Sequence, residues 1–437
     1  MTAASHTLSA HRGALQGIVV VDLSRVFAGP LCTQILADHG AEVTKVEPPT
    51  GDETRNLGPP FNAAGDAAYF SSLNRGKRAI SLDLSIPEGR EVLMRMLESA
   101  DVLVENFLPG TMNLWGIGYE DVLARRFPRL VYCSISGFGA DGPLGGLPGY
   151  DAVLQAMCGL MSVNGDTRSG RTRVGIPLVD HLTGYVALVG ILMALRVREH
   201  TGLGQRVEAT LFDTALSLLI PQAGNWFASG ATPDLLGSAH PNIAPYDRFA
   251  VSDGQIFIGI VNDNQFRRFC GHVGLAELTT DSRFLTNSDR VRNRDSLKEE
   301  IERALQSTCA APLCEGLMKI GVPAGVVNSI PEAFAQSHVN HRQLLVEQGG
   351  CTGIRSPTRL YGTPGTPGGR PPGFAEDTAT VLAELGFDEE GISRLQRSGA
   401  IPSERTGGSK PRSRLPDSES LSTTKRGSTA MSQGEIE

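Results

Sequence analysis

Between Gly17 and Ser136 the chain alternates short apolar runs with amphipathic stretches, and this rhythm constrains the fold more than any other feature. The run Gly17–Ser24 is short and almost wholly apolar, as a strand buried on both faces must be. A helix is expected over Leu31–His39, with Pro30 near its first turn. The next run, from Ala41, returns as a strand that Pro48 and Pro49 stop. Glu88–Ala100 places Val92, Leu93, Met96 and Leu97 on one helical face, and the strand Asp101–Phe107 follows. A helix near Tyr119–Arg126 then leads into the strand Leu130–Ser136. This alternation predicts an α/β domain with a parallel sheet.

Beyond it, Leu182–His200 reads as a long helix, apolar nearly all round and therefore buried. A strand over Arg206–Asp213 and a helix from Thr214 follow. Gly224–Phe249 is rich in Gly, Pro and Asn and reads as a functional loop at a domain boundary. Residues 250–330 resemble a smaller α+β unit. A helix over Pro331–Gln343 leads back, and Thr378–Leu385 and Glu390–Arg397 close the chain as short helices. No internal repeat is visible.

Composition narrows the function. With 437 residues, two or three domains are expected. Only 6% of residues are aromatic and 51 are glycine, which suits a turn-rich α/β protein. The net charge of −7 is dispersed, and nucleic-acid binding needs clustered Lys and Arg, so no such partner is expected. Seven scattered cysteines lack metal-ligand spacing, and Cys309 and Cys314 have no His cluster beside them. Their odd number and the lack of an apolar leader point to reduced thiols in a cytoplasm. The longest apolar run, Tyr185–Leu195, is shorter than the roughly 20 residues of a membrane span, so no membrane partner is expected.

Three motifs remain. Gly137–Gly142 matches G-x-G-x-x-G after a strand, but Pro143, Gly145, Gly146 and Pro148 prevent the helix that would hold a dinucleotide pyrophosphate. Gly137, Phe138 and Gly139 remain candidates to face a ligand. The turn at Asn74–Arg78 carries Arg75, Lys77 and Arg78 just before a strand-like run that ends at Leu84, either as a solvated turn or as a clamp for phosphates. Asp180 stands at the mouth of the long helix. It can cap that helix, and a carboxylate so fixed can also act as a nucleophile. No nucleophile elbow, Walker loop or zinc-protease motif is present.

Together these segments resemble the family III CoA-transferases, a superfamily that includes formyl-CoA and carnitine CoA-transferases and α-methylacyl-CoA racemases. The matching segments are Asp22–Arg55, Asn74–Leu84, Asp101–Met112, Leu130–Gly139, Gly149–Gly165, Val179–Gly184 and Thr201–Leu216, in the family's order. The resemblance runs over about Leu15–Ile401. It implies a Rossmann-like large domain built from residues 15–224 and 331–401, and a small domain with linkers from 225–330. Residues 1–14 and 402–437 are expected to be flexible. It also implies a homodimer of interlocked rings.

The resemblance implies a chemistry as well. Asp180 takes the place of the family's catalytic aspartate. Coenzyme A thioesters are then substrates, and no permanently bound cofactor is expected. With a reference pKa of about 3.9, such a carboxylate is ionised at neutral pH and needs no general base. Coenzyme A contacts are implied for Val26, Ala28, Asn74, Arg75, Lys77, Arg78, Asn106, Phe107, Gly137, Phe138 and Gly139. Leu114 stands where some members have an Arg near the coenzyme. Phe27 replaces a Gln used near oxalate, which disfavours an oxalate-type acceptor. Tyr150 replaces the His of the racemase branch, and a phenol of pKa about 10 is a poor base at neutral pH. Gly237–Cys270 is similar to the subgroup that pairs succinyl-CoA with glutarate, citramalate, itaconate or mesaconate. There His240, Asn242, Tyr246 and Arg248 are implied at the second carboxylate, with loop structure and interdomain packing as the alternative.

Overall fold

The computed structural model describes residues 13–402. The expected flexible ends therefore lie outside the described residues, apart from Gly13, Ala14 and Pro402. Six parallel strands form the main sheet: β1 (Val19–Asp22), β2 (Glu42–Glu47), β3 (Arg78–Ser81), β4 (Val102–Glu105), β5 (Val131–Ser136) and β6 (Arg206–Thr210). Their order is β3-β2-β1-β4-β5-β6, so the direction of winding reverses between β1 and β4. Ligands of open α/β sheets bind at such a switch point, beyond the carboxyl ends of the strands.

Both faces of the sheet are covered, which is why its strands read as continuous apolar runs. Val20, Val102, Val104 and Cys133 point to the face packed by helices α1 (Ala28–Asp38) and α4 (Leu178–Thr201). Val21, Leu103 and Tyr132 point to the other, beneath helix α2 (Pro87–Met96) and the returning residues Val381, Leu382 and Leu395. The returning chain also guards the edge of the sheet. Asp377 accepts the Ala79 N–H at 2.8 Å and donates its own to the Ala79 carbonyl at 2.9 Å. A third core surrounds Phe249, Phe269 and Phe284, where β7 (Tyr246–Val251), β8 (Gly254–Gly259) and β9 (Ala324–Val326) form an antiparallel sheet.

Several boundaries differ from expectation for identifiable reasons. The expected strand over Arg206–Asp213 stops at Thr210, whose hydroxyl accepts the Asp213 N–H and starts a helix over Leu211–Ser217. The expected loop from Gly224 begins as helix: Gln222–Ser229 follows Pro221 and ends at Gly230, φ 68°. The helix expected over Pro331–Gln343 divides at Gln336, which is extended.

Helix α4 starts at Leu178 rather than Leu182. By length and composition alone it is long enough to cross a membrane. In this fold its inner face is buried against α1 and the sheet. The expectation that it is buried all round fails, because Val186, Val189, Met193 and Val197 line an open face and Met193 is 64% exposed.

Candidate active site

Asp180 lies in the first turn of α4, and the structure corrects the idea that it caps the helix. The cap comes from elsewhere. Helix α3 (Asp151–Met157) begins with Asp151, whose Oδ2 accepts the N–H groups of Val179 at 2.7 Å and Asp180 at 3.2 Å. Its Oδ1 accepts from Gln155 Nε2 at 2.7 Å, and Gln155 Oε1 takes the Val174 N–H at 2.8 Å. Two orphan donors of the long helix are thus satisfied by a residue 29 positions before Asp180. Glycine makes this approach possible. A Cβ on Gly137 would stand 2.9 Å from Gly149 Cα, so the end of β5 and the lead into α3 cross backbone to backbone.

The Asp180 side chain is left free to react, in surroundings that disfavour its charge. Burial first, and the negative charge of Asp151 second, raise its pKa to about 7. Full ionisation at neutral pH, expected from the reference value, is therefore corrected. Nearby, the buried ring of Phe27 lies between Tyr69 at 6.0 Å and His181 at 4.9 Å. Burial, with smaller contributions from Asp180 and Asp151, pushes the Tyr69 phenol up to about 12. Burial also lowers the His181 pKa, against a partial pull from Asp151, and its Nδ1 is buried without a partner. The sequence reading missed Asp151 as a cap, Tyr69 and His181. His181 adjoins Asp180 and was the one detectable by position.

The segment from β1 to α1 forms the other side of the site, and it is strained. Val26 has φ 68°, a left-handed conformation that a β-branched residue rarely adopts. Its neighbours hold it there. Asn106 grips the peptide groups of Arg25 from both sides, accepting its N–H at 2.8 Å and donating to its carbonyl at 2.7 Å. Lys45 Nζ donates to the Ser24 carbonyl at 2.7 Å, and Asp22 accepts from the Ser24 N–H at 3.0 Å. Strain at one residue persists only where surroundings over-determine it.

The cationic turn does not present a free cluster to a phosphate. Lys77 is fully enclosed, with Nζ 3.0 Å from Asp22 Oδ2 and 2.9 Å from both the Pro30 carbonyl and Asn74 Oδ1. Asn74 is itself buried and donates to the Phe70 carbonyl. Arg75 pairs with Asp38 at 2.6 Å inside the protein. Only Arg78 reaches the surface, paired with Glu384 at 2.6 Å. Burial would raise the Asp22 pKa, but Lys77 and Lys45 hold it at about 2. Burial lowers Lys77 to about 8, with Asp22 opposing.

At the switch point a cleft of about 320 Å³ opens beyond β1 to β4. Leu82, Leu84, Arg25, Phe107 and Trp115 line it, with Phe107 edge-on to Trp115 at 5.1 Å. Ala28 opens α1 and is buried. Gly139, φ 85°, donates its N–H to Ser136 Oγ, and Phe138 packs on Phe212. Leu114 is exposed on the helical turn that follows Phe107. Tyr150 is exposed immediately before the capping Asp151.

The remaining predicted residues lie in and just before β7. His240 and Tyr246 meet edge-on at 5.3 Å, and Asn242 exchanges hydrogen bonds with Asn225. Arg248 is exposed two residues along β7 from Tyr246. Among the described residues no hydrogen bond or ring contact joins this group to Asp180.

Residues 15–378 match the family described as CoA-transferase family III. The chain is 38% identical to a succinate–glutarate CoA-transferase of Agrobacterium fabrum, covering 85% of this chain and 95% of that protein. It is 40% identical to an acetyl-CoA:oxalate CoA-transferase of Acetobacter aceti, over 80% of this chain and 90% of that one. A crystal structure of a CAIB/BAIF family protein from Brucella suis superposes with a TM-score of 0.78 at 41% identity, covering 86% of this chain and all of that chain (100%). With this fold, an aspartate at the mouth of α4 and these relatives, the chain belongs to the family III CoA-transferases.

Proposed function

We propose that the protein moves coenzyme A from succinyl-CoA to a small dicarboxylic acid, with Asp180 as nucleophile. The observation that carries this reading is the Asp180 carboxyl itself: without a side-chain hydrogen bond among the described residues, fixed through its backbone by Asp151, and close enough to Tyr69 to raise that phenol's pKa. An Asp180 oxygen attacks the thioester carbonyl. The C–S bond breaks, coenzyme A leaves as thiolate, and an aspartyl–succinyl anhydride remains. The thiolate attacks the aspartyl carbonyl and expels succinate, leaving an aspartyl-CoA thioester. The acceptor carboxylate then attacks that thioester, breaking its C–S bond and expelling coenzyme A thiolate, to give a second anhydride. Thiolate attack on the acceptor's carbonyl releases the new acyl-CoA and restores Asp180. The nucleophile is weak, so rate must come from positioning and from N–H donors to each tetrahedral oxyanion.

The cleft at the switch point suits the adenosine end of the substrate, with Phe107 and Trp115 offering aromatic faces and Arg25 a cation. With Arg75 and Lys77 enclosed in buried pairs, Arg25, partly exposed and 3.4 Å from Glu53 in a solvent-facing pair, takes the phosphate role first assigned to that turn. Val26, Ala28, Asn106 and the Gly137–Gly139 loop remain the proposed contacts along the thioester. We assign residues 15–224 and 331–401 to a large unit and 225–330 to a small one, as the separate core around Phe249 supports. The open apolar face of α4 fits a homodimer, and reduced thiols fit a cytoplasm.

The acceptor panel is glutarate, citramalate, itaconate, mesaconate and oxalate. Oxalate returns to it because a relative of 40% identity bears that name, although Phe27 argues against it. Incubation with succinyl-CoA and each acid should give a new acyl-CoA mass. Exchange of the α-proton without a new mass would replace transfer by racemisation. Binding of coenzyme A with neither outcome would make the protein a non-catalytic binder.

A further inference from the structure

Glu105 ends β4 and is buried, yet it has no part in the chemistry above. Its two carboxyl oxygens have different partners. Oε2 accepts the backbone N–H of Phe107 at 2.8 Å, and Oε1 accepts the hydroxyl of Tyr132, on β5, at 2.9 Å. Phe107 is a wall of the switch-point cleft. Its ring meets Trp115, and the Arg25 guanidinium lies 6.0 Å from its centre. Behind Glu105 is a second, smaller cavity of about 90 Å³, also lined by Tyr132, Ser134, Arg206 and Glu208. The carboxyl group thus stands between a polar pocket and the backbone of the cleft wall.

We propose that Glu105 is a positioning residue for the thioester cleft: its ionised carboxylate fixes the Phe107 backbone, and its protonation loosens that wall and weakens binding of the coenzyme. This rests on the reading that the cleft holds coenzyme A. The geometry supplies the mechanism. As found, both oxygens accept hydrogen bonds, which is the pattern of a carboxylate. A proton on Oε2 breaks the bond to Phe107; a proton on Oε1 can be donated back to the Tyr132 oxygen, and Oε2 is then left as a neutral, weaker acceptor of the Phe107 N–H. Ser134 Oγ is buried without a partner and lines the same cavity.

The surroundings set where this happens. From β5 Glu105 faces Tyr132, whose ring stacks on Tyr119 at 4.9 Å. Arg206 on β6 is paired with Glu120 at 2.9 Å and Glu208 at 3.0 Å, so its charge is largely shared before it reaches Glu105. Burial therefore dominates and raises Glu105 to about 7, with the Phe107 and Tyr132 hydrogen bonds and Arg206 opposing. Affinity should be full above that pH and decline below it.

Titration calorimetry of coenzyme A with the full chain between pH 5.5 and 8.5 tests this. The coenzyme's own phosphate titrates near pH 6, so wild-type affinity is read as a ratio to that of Glu105→Gln at each pH. The variant should bind about three- to tenfold more weakly at pH 8, with the ratio approaching one by pH 5.5 and kcat at saturation within about twofold. Tyr132→Phe removes a donor that favours the ionised form, so the break in affinity should move to higher pH. That variant also carries the test if melting shows Glu105→Gln to be unfolded. Equal affinities and equal pH dependence in the variants and wild type, or a fall in kcat with affinity unchanged, overturns the proposal. Absence of coenzyme binding by the wild type overturns the reading of the cleft as well.

Discussion

In the mechanism proposed above Asp180 must carry a negative charge to attack a thioester, and it sits where burial and Asp151 both resist that charge. Transfer measured as kcat should therefore fall about tenfold per unit as pH drops below about 7, rather than below 4. Asp151→Asn keeps an oxygen on the helix N–H groups and removes the opposing charge. Its acid limb should move to lower pH, though not to the reference value, because burial is the larger cause. An unmoved limb would show that Asp151 acts on Asp180 only through the backbone. Asp180→Ala should abolish transfer in a folded protein; retained turnover would end the proposed mechanism. The same shift has a stability consequence. A raised carboxyl pKa contributes stability that is complete below about pH 3.8 and lost as pH rises through about 7. Asp180→Asn should therefore melt higher than wild type at pH 8, by about 1–3 °C, with no such gain at pH 4.

Among elements, β1 and α1 are tied by charges the sequence displayed but did not direct. Lys77 read as a surface cation because its partner, Asp22, lies 55 residues away. Lys77→Met removes the ion pair of that buried aspartate, leaving it the charge of Lys45 and the hydrogen bonds of Ser24 and Thr33, and should destabilise the protein by about 3 kcal/mol in urea unfolding. A phosphate clamp would instead raise KM at unchanged stability. Helix α4 meets α1 at Gly184, where a Cβ would stand 2.8 Å from the Ala28 carbonyl oxygen. Gly184→Ala should cost about 1–3 kcal/mol by the same measurement, since backbone has to give way. What was legible follows from local pattern: all six strands of the main sheet, the amphipathic α2, and α4 to within four residues at its start. What was not legible depended on distant partners. Asp151 looks like a cap for its own helix, and nothing nearby shows that its carboxylate serves another. The helix at Gln222–Ser229 was hidden by the Gly and Pro that bound it.

For the whole molecule, the open stripe on α4 is the feature a single subunit leaves unexplained. Val186, Val189, Met193 and Val197 recur on one side of a helix whose other side is core. Such a surface marks an interface. Light scattering should report twice the 46.5 kDa subunit mass. Val189→Glu with Met193→Glu should yield monomers, and a dimer that survives both changes would place the interface elsewhere. If that dimer forms, it also accounts for a helix whose sequence reads as buried all round while one face is open in the single subunit.

The cap supplied by Asp151 has a consequence for how the protein comes into being. Burial in the finished site sets the environment of Asp180, Asp151 on another helix adds to it, and the lead into that helix crosses the end of β5 at Gly137 and Gly149. In a chain still emerging or partly opened, Asp180 is an ordinary solvated aspartate with no thioester held against it. The raised pKa of Asp180 is thus a property of the finished tertiary structure, and titration of this one carboxyl reports whether that structure has formed.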